Sequence, residues 1–345
     1  MAVYREPVKI VVEKEVATTI AALNKVIIVT DEKNQDFKYY NDSASVGEDY
    51  GNNSKIYKLV ETFLSQTDGD GNILKPDFFG VVGVTAASGE NIEDKLKEIL
   101  NENLDKEWYG ILTTFDSPET IESIRPFCTE HRKIYIADVN QYPIADTSKS
   151  DRMICFWNPT LEETNREYRA AAYGGGVITP GAGSKASLVL MAGVTADTDI
   201  NKKVDLTDNN ITFVEKRTSE NYIIANGGKG QDGTYLDEVT AIDCIIVNMK
   251  ENIQKVMIKK GFRQDDRGYA LMEDTLTKVM EEMGVMNLIA IKDNNYEYIV
   301  YPVNQTNTER EQRIMRPRVL FRLAGWAYFI DLTLKMTYKD IGGSN

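Results

Sequence analysis

A single histidine, His131, and three scattered cysteines, Cys128, Cys155 and Cys244, are all that the 345-residue chain brings to imidazole and thiol chemistry. The cysteines are odd in number and no two form a CxxC, so the spacing suggests neither a disulfide framework nor a zinc site, and a reducing compartment fits. Positive charge is also scarce. Forty Lys+Arg stand against 53 Asp+Glu, a net charge of −13, and so acidic a surface repels phosphate backbones and anionic lipid. Nucleic acid and direct membrane insertion are therefore not expected. No apolar run approaches the roughly 18 residues of a membrane helix. The opening MAVYREPVKIVVEKE has no long apolar core before a small-residue cleavage site, so the expectation is a protein made and kept in a cytoplasm.

What is present is a globular composition, 42% hydrophobic and 9% aromatic, enough for one large or two modest domains. From residue 26 to 173, short apolar runs alternate with longer amphipathic ones. Lys25–Thr30, Phe78–Ala86, Trp108–Phe115, Ile134–Val139 and Met153–Asn158 read as strands. Between them, Ser54–Ser65 is helical by the spacing of Ile56, Leu59, Val60 and Phe63, Asn91 caps a second helix, and Ser117-Pro118 opens a third. A further helix is expected from Thr160 to the glycine run Gly174–Gly176. Strands separated by helices imply crossovers and a mostly parallel sheet covered on both faces.

Residues 174–233 read as irregular connecting structure with strand-like pieces at Leu188–Met191, Ile211–Lys216 and Asn221–Ala225. Two long helices follow, Leu236–Lys259 and Tyr269–Met283. At the end, Ile330, Leu332, Leu334, Met336 and Tyr338 alternate with polar residues, a half-buried strand. Val8, Ile10 and Val12 give the other terminus the same extended character after Pro7. The fold class expected is mixed α/β: a parallel α/β sheet unit plus a C-terminal α+β assembly domain, with extended arms at both ends. The divisions fall at 1–24 for the N-terminal arm, 25–233 for the α/β domain with its irregular connecting region, 234–329 for the assembly domain and 330–345 for the C-terminal strand or arm.

Chemistry is hard to place on this pattern. His131 ends a predicted helix beside Arg132 and Lys133, where a cation meets the helix dipole, and no nucleophile motif accompanies it. In YGGGVITPGAGSK (Tyr173–Lys185) the order Gly183-Ser184-Lys185 is wrong for a phosphate loop, and the stretch follows a helix rather than a strand. DGDGN (Asp68–Asn72) starts like a calcium loop, but Ile73 stands where the turn glycine belongs and Phe79 where the bidentate glutamate belongs, so a polar hairpin or loop is expected. A nucleotide-binding Rossmann-like enzyme, the main alternative, would need glycines after the first strand, which KVIIVTDEKNQ lacks. No catalytic, cofactor-binding or metal-ligating residue is assigned. One charge reversal does stand out: Lys250, Lys255, Lys259, Lys260, Arg263 and Arg267 cluster at and after the end of the long helix, either as ordinary helix-terminal cations or as a patch for an acidic partner.

From Tyr168 onward, short phrases occur in a telling order: Ala170-Ala171-Ala172 before the glycines, Pro180-Gly181, Leu188 with Ala192-Gly193-Val194-Thr195-Ala196-Asp197, Asn221-Tyr222, Gly233-Thr234-Tyr235-Leu236-Asp237 and Asp243, then Arg316 with Phe321-Arg322-Leu323-Ala324-Gly325-Trp326. Over this stretch the sequence resembles the contractile phage tail sheath proteins. It departs from their pattern at Cys244-Ile245, where Asp-Trp is usual after Asp243, and it is short for the family, which implies few outer decorations.

The resemblance implies a structural protein that polymerises as stacked hexameric rings around a tail tube and contracts to drive the tube through a target envelope. No catalysis and no cofactor are implied. Its expected partners are itself, the tail tube protein, and the baseplate and tail terminator proteins; its expected place is the virion tail or a phage-tail-like particle, assembled in the bacterial host cytoplasm. Arms in that family add strands to a neighbour's sheet, which makes Val8, Ile10, Val12, Leu332, Leu334 and Met336 candidate inter-subunit strand residues, although strands at chain ends also pair within their own chain. Lys250, Lys255, Lys259, Lys260 and Arg263 become a candidate tube-facing patch. Another self-assembling tail or injection-system protein is the further alternative.

Overall fold

Strands and helices alternate through the first half: β1 (Val26–Thr30), β2 (Gln35–Tyr40), α1 (Ser43–Tyr50), α2 (Lys55–Leu64), β3 (Phe79–Gly83), α3 (Ile92–Glu102), β4 (Gly110–Thr113), α4 (Pro118–His131), β5 (Ile134–Val139), β6 (Met153–Trp157) and α5 (Arg169–Val177). The computed structural model describes residues 20–87, 89–141, 149–218, 222–303 and 305–328. Val8, Ile10, Val12, Leu332, Leu334 and Met336 lie outside the described residues. Six strands form one sheet in the order β2-β3-β1-β4-β5-β6, parallel except for β2, which runs antiparallel at the edge.

The sheet follows from its strands' composition. β1, β3, β4, β5 and β6 are mostly apolar and are buried along their whole length, as strands covered on both faces must be. Alternation divides them between two cores: Val26 and Ile28 pack toward α2 and α5, while Ile27 and Val29 pack toward α3 and α4. Each such Val or Ile contributes roughly 1.5–3 kcal/mol by leaving water. The helices start where side chains satisfy the free amides of the first turn: Ser54 accepts from Tyr57 N, Asn91 from Glu93 N, and Ser117 from Thr120 N with Pro118 in the first turn. DGDGN is a polar turn, closed by Asp68 Oδ1 accepting from the amides of Asp70 and Asn72 and by the Thr67–Ile73 bridge.

Two readings of the sequence are corrected here. The helix expected from Thr160 begins only at Arg169, and the residues before it form turns and extended chain; Gly174–Gly176 lie inside the helix rather than ending it. Packing is the reason, because a Cβ at Gly175 would stand 2.2 Å from the carbonyl oxygen of Phe63 on α2. Close approach of two helices overrides a glycine's poor helix propensity. The stretch 174–233 is also more ordered than its turn-rich composition suggests: it holds β7 (Val189–Leu190), α6 (Ile200–Asp208), β8 (Phe213–Arg217) and β9 (Tyr222–Asn226), the strands in the antiparallel order β7-β9-β8. Thr212 lies against the open edge of β6, donating to Cys155 O at 2.9 Å and accepting from Trp157 N at 2.7 Å.

α7 (Leu236–Lys259) and α8 (Asp266–Val285) come next, followed by β10 (Ile291–Lys292), β11 (Asn295–Tyr296), β12 (Tyr298–Tyr301), α9 (Asn307–Glu311) and β13 (Arg318–Phe321). The first half of α7 is buried as far as Met249 and the second half stands largely in solvent. Ile245 and Met249 of α7 and Met272, Leu276, Val279 and Met283 of α8 join the same core as α2 and α5. β12 and β13 form a two-stranded antiparallel sheet whose Tyr298, Val300, Val319 and Phe321 pack inward while Ile299 and Leu320, cross-strand partners, face out.

Candidate functional site

In an open parallel sheet, ligands bind where the strand order reverses, beyond the carboxyl ends of the strands on either side. Here that place is β1 and β4, since β3 lies on one side of β1 and β4 on the other. The chain fills it with its own groups. Glu32, just past β1, accepts Lys55 N at 2.8 Å and Ile56 N at 3.0 Å, so a carboxylate of the protein takes the helix N-terminus that would otherwise attract an anion. Lys55 in turn pairs with Asp31 at 3.3 Å.

Arg166 lies across the ends of β4 and β5. Its guanidinium donates to Thr114 O at 2.9 Å, to Asp116 Oδ2 at 2.7 Å and to Asp138 Oδ2 at 3.0 Å, and lies 4.8 Å from the centre of the Tyr168 ring. Tyr135 donates to the other Asp116 oxygen at 2.8 Å. Asp138 Oδ1 accepts Ala170 N at 2.9 Å and so caps α5, whose own N-cap residue, Tyr168, supplies no side-chain bond. Burial pushes the Asp138 carboxyl up to about 6, with Asp116 adding to the rise and Arg166 opposing it. The neighbouring Arg169 is wholly buried and bonds Glu167, Asp197, Thr195 and Trp157 O. The arrangement fixes the chain before α5 to the sheet, and its charges are used on one another rather than presented to a ligand.

A second buried cluster ties α7 to the sheet. Asp243 accepts from Arg152 Nη1 at 2.7 Å, from Arg132 Nε at 2.9 Å and from the Tyr109 hydroxyl at 2.7 Å. Burial works to raise the Asp243 carboxyl, but hydrogen bonding and charge from Arg152, then Arg132, hold it below the usual carboxylate value. Arg132 reaches it from the left-handed residue that ends α4, with φ of 52°. His131 closes α4 as expected, its ring packed on Phe127. The three thiols are buried and unpaired, Cys128 and Cys155 pushed up to about 12 by burial, which makes them poor nucleophiles. Among the described residues, no group of three His, Cys, Asp or Glu side chains is placed to hold a metal ion, and no helix is long and apolar enough to cross a membrane.

The sequence reading passed over Arg166, Asp116, Asp138, Arg152 and Tyr109, because each is one charged or polar residue among many and only the fold brings them together. The one available signal was position: Asp31, Asp116 and Asp138 fall at or just past the ends of apolar strands. The basic residues that the sequence did single out stay on the surface. Lys250 is half-buried, while Lys255, Lys259, Lys260 and Arg263 are exposed around the end of α7, Lys255 pairing with Glu251 at 3.1 Å and Arg263 with Asp265 at 3.4 Å. Met257 and Ile258 stand among them, Ile258 85% exposed.

This architecture is similar to that of solved contractile sheath proteins. No protein-family model matches the chain and no curated protein matches its sequence. Its three-dimensional structure is similar to the helical sheath of the anti-feeding prophage in its contracted state, with a TM-score of 0.72 and 13% identity over 97% of this chain and 100% of that one. It is similar as well to the contracted sheath complex of PVC, an extracellular contractile injection system, with a TM-score of 0.69 and 10% identity over 98% and 99% of the two chains. A sheath tail protein from Listeria innocua aligns with a TM-score of 0.53 and 8% identity over 90% and 98%. The mixed α/β fold expected from the sequence is thus the observed one, and it is shared with sheath proteins nearly from end to end.

Proposed function

We propose that the chain is the sheath subunit of a contractile tail or tail-like injection particle, that it polymerises as stacked hexameric rings around a tail tube, and that contraction of this lattice drives the tube through a target envelope. The observation that carries the reading is the end-to-end structural match to a contracted helical sheath. The crevice supports it, because Glu32 takes the N-terminus of α2 and Arg166 crosses the ends of β4 and β5, where a nucleotide on this sheet would be held. In this reading the protein is not an enzyme, assembles in the host cytoplasm and ends in the particle's tail, with the tube, baseplate and terminator proteins as partners.

Residues 234–329 form the assembly layer. An extended arm satisfies its backbone groups on a neighbour's sheet edge and fixes its register by alternating side chains. β12–β13, a two-stranded sheet with unpaired outer edges among the described residues, offers such edges in this layer. The arms are Val8, Ile10 and Val12 at one end and Leu332, Leu334 and Met336 at the other. Lys250, Lys255, Lys259, Lys260 and Arg263 face an acidic tube, with Met257 and Ile258 as an apolar centre; such rim charges are individually weak and act by repetition along the tail. Deleting residues 1–15 tests the arms: a folded protein that no longer forms sheath is expected, and normal sheath from the truncated chain contradicts the assignment. The patch is tested by the double reversal Lys255→Glu, Lys259→Glu, which is expected to abolish co-assembly with tube; unchanged co-assembly contradicts it.

A further inference from the structure

Both ends of the described chain come to rest on the same helix. At the start, Ile20 N donates to Glu251 Oε1 of α7 at 2.9 Å. At the end, the Tyr328 hydroxyl donates to Asp237 Oδ1 of α7 at 2.9 Å and accepts Ala186 N at 2.9 Å, while its ring lies 4.7 Å from that of Tyr235. Trp326 adds a bond from its indole N–H to Gly183 O at 2.9 Å, and Gly183 N is itself bonded to Thr240 of α7 at 3.0 Å. Gly183 holds a φ of 73°, a left-handed conformation that favours glycine, and a Cβ there would meet the Leu288 side chain at 2.4 Å.

Helix geometry relates these points. Asp237 and Glu251 are close to four turns apart, about 21 Å along the axis and within about 40° of one face, whereas Asp243 is turned about 80–120° from both. That third acid is the one bound to Arg132, Arg152 and Tyr109. One helix therefore carries two chain roots on one side and a fixed anchor to the sheet on another.

We propose that α7 is a common mount for the two arms: Glu251 holds the root of the N-terminal arm, Asp237 through Tyr328 holds the root of the C-terminal arm, and Asp243 fixes the helix to the core. The inference rests on the sheath reading and adds a mechanism to it. A displacement of one subunit's core is passed to both arm roots at once, as a motion of one helix.

The test uses the full-length chain and the variants Tyr328→Phe, Glu251→Ala and the two combined. Limited proteolysis reads release of the tail, a melting curve reads the fold, and electron microscopy reads the tubes. Loss of the Tyr328 bonds is expected to speed cleavage within residues 329–345 about five-fold, and the double variant is expected to keep a cooperative melt while giving short tubes of irregular diameter. Should Tyr328→Phe unfold, Trp326→Phe removes only the Gly183 bond and takes its place. Wild-type tail cleavage, or tubes of wild-type length and diameter from the double variant, overturns the mount and leaves the sheath reading intact. Failure of the wild-type chain to form tubes, alone or with its tube protein, overturns the functional reading and this inference with it.

Discussion

Lys133 carries an ammonium group into the core at the start of β5, where it donates to Trp108 O at 2.6 Å and lies 4.1 Å from the centre of the Trp108 ring. Burial brings it down to about 7, with Cys128 and Asp243 working the other way. Between that value and the ordinary lysine value of 10.5, the unfolded chain binds a proton that the folded chain does not, so stability rises with pH across this window. Thermal melts from pH 7 to 9 should show this rise for the wild type, and Lys133→Met should flatten it. Asp243 has the opposite character. Its lowered carboxyl contributes stability that is present above the ordinary value of 3.8 and is lost as pH falls through the lowered folded value. Asp243→Asn leaves two guanidinium groups without their shared counter-charge and should cost about 3–5 kcal/mol in urea denaturation. A loss below 1 kcal/mol would mean that the cluster is not what holds α7 to the sheet.

At the scale of elements, the glycines of α5 separate packing from propensity. Gly175→Ala drives a Cβ to 2.2 Å from Phe63 O and should cost at least the roughly 1–3 kcal/mol of an overpacked core, because backbone has to move. Gly174→Ala meets only Leu112 and Ile136 side chains at 3.4–3.6 Å, and should be neutral or gain up to about 1 kcal/mol in helix propensity. Denaturation midpoints of the two variants moving together would contradict this packing. The same helix marks the boundary of what sequence reveals. The buried strands, the caps at Asn91 and Ser117, the helix from Ser54 and the span Leu236–Lys259 were legible because period and capping chemistry are local. The start of α5 was not, since Tyr168 has no capping side chain and the cap comes from Asp138 on a strand distant in sequence. β2 was unannounced because its QDFKYY has one largely exposed edge-strand pattern. α6 lacked a long apolar stripe. The crevice was illegible for a similar reason: Arg166, Asp116 and Asp138 acquire meaning only when strand order brings them within 3.0 Å.

For the whole molecule, the fold places an α/β body, fastened to α7 through Asp243, beside a layer that holds the two chain roots, the β12–β13 edges and the basic end of α7. The buried charges hold the chain's own parts together, an arrangement that suits the proposed lattice role. Under the proposed function, the energy of contraction would reside in contacts between subunits, with the shortened lattice burying more surface than the extended one. Self-assembly is the central claim, and negative-stain electron microscopy of the purified chain tests it most directly, with and without its tube protein. Hollow, ribbed helical tubes with six-fold end views are predicted. Uniform small particles in both samples would contradict the account.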